Sequence, residues 1–163
     1  MSNLKQAIKQ NYVKCAKSPS YFINEFCTIQ HPQRGKIKFK LYPYQYDVLD
    51  EFEAHDYNVV LKSRQLGIST LSAAYALWMM LFHNDKNILC IATSKDTAKN
   101  LVTKVRIMYE GLPNWLKTAI VENNKLSLIF KNGSQIKAIA SNESAGRSEA
   151  LSLLILDEAA FID

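Results

Sequence analysis

The sequence predicts an α/β fold, an open and mainly parallel sheet flanked by helices. Three observations predict it. Short apolar runs that read as strands alternate with longer helical patterns. A basic loop, Lys62 to Thr70, lies between one such strand and a helix. A second apolar run, Leu153 to Leu156, ends in two acids, Asp157 and Glu158. Composition agrees with one globular domain: 163 residues, 48% hydrophobic and 21% charged. That mix excludes a disordered tail, a collagen-like chain and a disulfide-stapled miniprotein. We divide the domain into an N-terminal helical segment, residues 1–52, and a core, residues 57–163.

Residues 3–17 carry a weak helical pattern that Ser18-Pro19 breaks. Tyr21, Phe22, Phe26 and Cys27 resume it. Residues 31–36, with Pro32 and Gly35, read as a polar connection, and residues 38–42 as a short strand. Pro43 suits a first helical turn, where its missing N–H costs nothing; Tyr46, Leu49, Asp50 and Phe52 follow on that helix. Asn58-Val59-Val60-Leu61 reads as a buried parallel strand. Residues 69–83 are apolar almost all round, as in a buried helix. Residues 87–92 read as a strand. Residues 96–112 read as an amphipathic helix, with Ala98, Leu101, Val102, Val105, Met108, Tyr109 and Leu112 on one face and Pro113 beyond. Asn132-Gly133 separates two alternating runs (Leu126, Leu128, Phe130 and Ile136, Ala138, Ala140). That is a strong hairpin signal, in which both central residues take positive φ. Residues 153–156 read as a buried central strand.

The loop Lys62-Ser63-Arg64-Gln65-Leu66-Gly67-Ile68-Ser69-Thr70 is set in the context of the phosphate-binding pattern G-x-x-x-x-G-K-[ST]. Such loops close backbone N–H groups around phosphates at a helix N-terminus. Gly67 and Ser69 match the second glycine and the hydroxyl. Lys62 replaces the first glycine, and Ile68 replaces the lysine. Isoleucine cannot neutralise a phosphate, so the charge must come from the head of the loop. Lys62 is favoured by its place at the strand end, with Arg64 as a second cation for phosphate contact or sensing. The alternative is an ordinary strand-to-helix turn with a basic rim.

Leu153-Leu154-Ile155-Leu156-Asp157-Glu158 has the Walker B form. Acids at the carboxyl edge of an open α/β sheet sit where ligands bind. Asp157 is expected to share the Mg²⁺ shell with Ser69, and Glu158 to polarise the attacking water. The two motifs together predict a P-loop NTPase of the ASCE or RecA-like kind, with a β-hairpin before the Walker B strand.

With both motifs on the page, the chain resembles the ATPase part of the large terminase subunit of tailed bacteriophages, most closely its T-even-type branch. The resemblance rests on residues 63–67 with hydroxyls at 69 and 70, and on Leu156-Asp157-Glu158-Ala159-Ala160-Phe161-Ile162. Leu41-Tyr42-Pro43-Tyr44-Gln45, Asn132-Gly133-Ser134 and Gly146-Arg147-Ser148 add to it. Ile68 departs from that branch, whereas other terminases are similar in placing the lysine at the head of the loop. The resemblance implies a motor that hydrolyses ATP with Mg²⁺ to move double-stranded DNA into a procapsid. It also implies a subunit ring, portal and small-terminase partners, and a place at the portal in the cytoplasm of the infected host. It makes residues 1–52 the adenine side, with Gln45 reading the adenine edge. It makes Arg147 a finger for a neighbour's γ-phosphate, worth about 10³–10⁵ in rate. Residues 92–98 resemble a helicase motif that touches a DNA backbone; a plain N-capped turn reads equally well. The strand, lid and nuclease domain usual beyond Walker B are not in this chain, which therefore reads as an N-terminal part with sheet surface left uncovered. The other readings are a helicase-like DNA translocase and a non-hydrolysing nucleotide-binding fragment.

The net charge of +5 permits a polyanionic partner without proving one. Cys15, Cys27 and Cys90 form no metal or disulfide pattern and read as reduced thiols. His31, His55 and His83 are scattered. The longest apolar run, 71–82, falls short of the ~20 residues that span a bilayer, so no membrane role is expected. The first ten residues lack the apolar stretch of a secretory signal.

Overall fold

The computed structural model describes residues 2–31, 33–141 and 150–161. Helix α1 spans Ser2–Lys17 and α2 spans Pro19–Phe26. Ser18 caps α2 by accepting the Tyr21 N–H at 3.1 Å, and Pro19 fills the first turn. Two short strands follow, β1 (Thr28–His31) and β2 (Gly35–Lys38), paired antiparallel. Residues 31–36 are therefore mostly hairpin rather than a plain connection, and residues 39–42 are not strand. Only Ile29 and Ile37 give this hairpin an apolar pair, too weak a pattern to read from sequence. Helix α3 spans Pro43–Ala54.

Residues 58–61 form no strand. Val59 and Leu61 are 99% and 101% exposed. An apolar run becomes a strand only if another strand bonds it, and among the described residues none does.

Helix α4 (Ile68–Phe82) is buried almost all round, as its sequence demands. The Trp78 indole N–H donates to the Cys15 carbonyl at 2.8 Å, tying α4 to α1. Strand β3 (Asn87–Ala92), helix α5 (Lys95–Gly111), β4 (Ile120–Asn123), β5 (Ser127–Phe130), β6 (Gln135–Ala140) and β7 (Leu153–Asp157) complete the fold. The sheet order is β4-β5-β6-β3-β7. Strand β3 lies parallel to both β6 and β7, while β4-β5 and β5-β6 are antiparallel. The sheet is mixed, not mainly parallel.

Strand β7 sits at the sheet edge rather than at its centre, and Leu154 and Leu156 are 46% and 47% exposed. The pleat still sorts its side chains. Leu153, Ile155 and Asp157 pair in register with Ile88, Cys90 and Ala92. Those three residues of β3 belong to the core shared with α4 and α5, so alternation turns Asp157 to the helix side.

The Asn132-Gly133 turn differs from the expected two-residue form. Gly133 takes φ 81°, but Asn132 does not take positive φ. The loop answers to α4 instead. The Asn132 amide donates to the carbonyls of Met80 (2.8 Å) and His83 (3.2 Å), and the Ser134 hydroxyl donates to His83 (2.9 Å). Helix ends leave carbonyls unpaired, and this loop supplies their donors. A Cβ at Gly133 would lie 2.1 Å from Asp85 Oδ1.

The three thiols are free and buried. Burial pushes Cys15 and Cys90 up to about 12, with Glu25 and Asp157 adding to each in turn. Burial raises Cys27 too. Among the described residues, no helix is long and apolar enough to cross a membrane.

Candidate functional site

The chain places the head of α4 against the end of β7. Ser69 Oγ donates to Asp157 Oδ1 at 2.9 Å. Ser69 reaches this point because it lies in the first turn of α4. Asp157 reaches it because strand register turns the residue opposite Ala92 toward the helices. Ala92 itself is small and buried, so it does not fill the space.

The loop leading into α4 has an unusual backbone. Gln65 takes φ 63° and Gly67 takes φ 71°, both left-handed. Gly67 is the N-cap of α4 and provides no side chain to cap the first turn. Uncapped N–H groups at a helix start favour an anion. Lys62, Ser63, Arg64, Gln65 and Leu66 are exposed, and Ser69 and Thr70 are half-buried. Ile68 is buried in the core. The position that usually carries the phosphate lysine thus points inward here, and the exposed cations are Lys62 and Arg64. Glu158 is exposed and left-handed, φ 58°, and its carbonyl accepts the Phe161 N–H at 2.9 Å. A non-glycine residue held there costs about 1–3 kcal/mol, a strain that clusters at functional sites.

Ser69 and Asp157 present hard oxygen donors, the kind that Mg²⁺ takes. Among the described residues no cluster of three or more His, Cys, Asp or Glu side chains forms. A metal here would be held by few protein ligands, as Mg²⁺ usually is beside a phosphate.

Gln45 is 1% exposed, and both of its polar ends are engaged within the chain. Its Oε1 accepts the Tyr42 N–H at 3.1 Å, the reach-back half of a capping box. Its Nε2 donates to the Leu66 carbonyl at 3.2 Å. Arg147, with Gly146 and Ser148, lies outside the described residues, as does Ile162. In the 92–98 segment, Ser94 caps α5 by accepting the Thr97 N–H at 3.2 Å, which accounts for the local turn.

The sequence reading passed over Lys104. It is half-buried on α5, next to the apolar stripe, where a lysine is usually read as a solvated rim. Burial pushes its ammonium below the usual lysine range. Asp157 opposes that shift, and Lys62 adds to it. Lys104 is therefore a further cation within electrostatic reach of Asp157. The signal was its position: between Leu101, Val105 and Met108 it cannot be wholly solvated.

A pH prediction follows from this shift. The folded chain releases the Lys104 proton at lower pH than the unfolded chain does, whose lysine titrates near 10.5. Between those two values the unfolded state binds more protons, so stability rises with pH. Lys104→Met is expected to raise the thermal midpoint at pH 7 and to remove that alkaline rise. Melting curves from pH 7 to 11 on both chains check it.

A helix-flanked mixed sheet with a helix-head serine against a strand-end aspartate defines an α/β protein whose candidate site lies at the carboxyl end of a strand. Comparison with known proteins makes the class specific. The family model for the N-terminal part of the T4-like-virus type of terminase large subunit matches residues 59–163, and the chain belongs to that family. The fold is also similar to the crystal structure of the HK97 bacteriophage large terminase. The TM-score is 0.68 at 21% sequence identity, over 86% of this chain. The chain spans 30% of the length of that protein.

Proposed function

We propose that this chain is the nucleotide-binding part of a DNA-packaging ATPase. The single observation that carries the proposal is the 2.9 Å hydrogen bond from Ser69 to Asp157. It joins the hydroxyl of the loop motif to the acid of the strand motif, the pair that both sequence patterns require at one place. Family membership supports the same reading.

In this reading, ATP lies with its phosphates over the 62–70 loop and the first turn of α4. The first-turn N–H groups donate to phosphate oxygens. Lys62, with Arg64 beside it in sequence, brings the positive charge that buried Ile68 cannot. Ser69 and Asp157 would hold Mg²⁺, which would supply positive charge to the phosphates. Glu158 accepts a hydrogen bond from the attacking water and aims its oxygen at the γ-phosphorus. Water adds to that phosphorus, the bond to the β-γ bridging oxygen breaks, and ADP leaves with inorganic phosphate. Arg147 stabilises the γ-phosphate of a neighbouring subunit. Lys104 adds positive potential behind Asp157. Double-stranded DNA is the load, and portal and small terminase subunits are the assembly partners, at the procapsid in the host cytoplasm.

A second reading has one observation in its favour. Ile68 is buried where a phosphate lysine usually stands, which suits a module that binds nucleotide without turnover.

Phosphate release from ATP, measured with Mg²⁺ and with or without double-stranded DNA, separates the two. The motor reading expects Mg²⁺-dependent release that Glu158→Gln lowers by about 10²-fold or more with binding retained. Binding with no release under any condition supports the binding module.

A further inference from the structure

The loop is held from behind by α3. The Leu66 carbonyl accepts two hydrogen bonds from the first turn of that helix, one from Tyr44 Oη at 2.7 Å and one from Gln45 Nε2 at 3.2 Å. Tyr42 stacks on Tyr44 with ring centroids 5.8 Å apart and planes within 7°, which fixes the phenol in place. Gln45 is fixed in turn by the Tyr42 N–H. The next residue, Gly67, is left-handed, and a Cβ there would lie 3.0 Å from Gln45 Nε2.

A trans peptide is planar, and its C=O and N–H point in opposite directions. With the Leu66 carbonyl turned to α3, the Gly67 N–H is turned away from α3. If the 66–67 peptide flipped, a carbonyl oxygen would take the place of that donor. Donors attract a phosphate and carbonyl oxygens repel it.

We infer that Tyr44 and Gln45 are positioning residues for phosphate binding: they clamp the Leu66 carbonyl, lock the 66–67 peptide and so present the loop's N–H groups. The inference rests on the reading of residues 62–70 as a phosphate loop. It gives Gln45 a role that does not depend on the base. Both side-chain ends are already used inside the chain, so its loss weakens binding of any triphosphate.

The test is titration calorimetry of the chain with ATP, GTP and inorganic tripolyphosphate, each with Mg²⁺, beside Tyr44→Phe and Gln45→Met. Tyr44→Phe keeps the ring stack and removes only the hydroxyl. Its expected effect is a loss of about three- to tenfold, the worth of one hydrogen bond, equal for all three ligands. Its thermal midpoint is expected to fall by no more than a few degrees, the cost of the same bond to the fold. Gln45→Met is expected to weaken all three ligands by a common factor. Unchanged affinities in Tyr44→Phe overturn the clamp. So does a Gln45→Met chain that loses ATP but keeps tripolyphosphate, because Gln45 then reads the base. A parent chain that binds none of the three overturns the phosphate-loop reading itself, a result distinct from either failure of the clamp.

Discussion

Asp157→Ala is expected to weaken Mg·ATP binding about 10–100-fold, the usual cost of losing a residue that supports a bound metal. The carboxylate stands at the last position of β7 and accepts the Ser69 hydroxyl at 2.9 Å. Glu158, the next residue, leaves the strand with φ 58°. Binding of ATP in the presence of a chelator, where Asp157 has no metal to hold, is expected to change little. Titrations of both chains with and without Mg²⁺ check this. A loss of affinity equal in both conditions contradicts a metal-holding role.

Gly67→Ala is expected to damage the loop and the fold together. Gly67 adopts φ 71° and ψ 11° at the head of α4. An L-residue with a Cβ pays about 1–2 kcal/mol in that region. The added Cβ would also press on Gln45 Nε2 at 3.0 Å, and a buried amide has little room to retreat. For a chain of this size that strain lowers the melting temperature by about 2–8 °C. If the loop relaxes by moving the 66–67 peptide, triphosphate affinity falls by about tenfold or more, since 1.4 kcal/mol is a factor of ten. Melting and titration of the same preparation check both effects. A chain that melts as the parent does and binds as the parent does contradicts the constraint.

These expectations show which features were legible in the sequence. Helices α4 and α5 were: Leu71 to Leu81 is apolar on nearly every side, as a fully buried helix must be, and Ala98 to Tyr109 shows the 3.6-residue rhythm of a half-buried one. So was the meeting of Ser69 with Asp157, because a motif at a strand end and a motif at a helix head are both tied to one edge of a sheet. The N-terminal hairpin was not legible, since four-residue strands hold too few side chains to show a period. Residues 58–61 misled for a physical reason. Val59, Val60 and Leu61 have the chemistry of a buried strand, but burial depends on a neighbour that no local pattern reports. Asn132-Gly133 marked the antiparallel β5–β6 connection but not the form of its turn, because the structure uses Asn132 and Ser134 to close the end of α4. Gln45 stood out only through the family resemblance of residues 41–45, which assigned it the adenine edge. Its buried tie to Leu66 required the fold to bring α3 to the loop. Lys104 was hidden because charge on an amphipathic helix is ordinary until a strand end puts an acid in reach.

The most direct measurement is a magnetic one. Mn²⁺ replaces Mg²⁺ at oxygen sites and broadens the NMR signals of nearby nuclei. An ¹⁵N-labelled chain, saturated with ATP and given trace Mn²⁺, is expected to lose the amide signals of Ser69, Thr70 and Asp157 first. The signals of α1 and of the β1–β2 hairpin should stay sharp. Broadening that begins elsewhere, or that is the same without ATP, would contradict a metal–nucleotide site between Ser69 and Asp157.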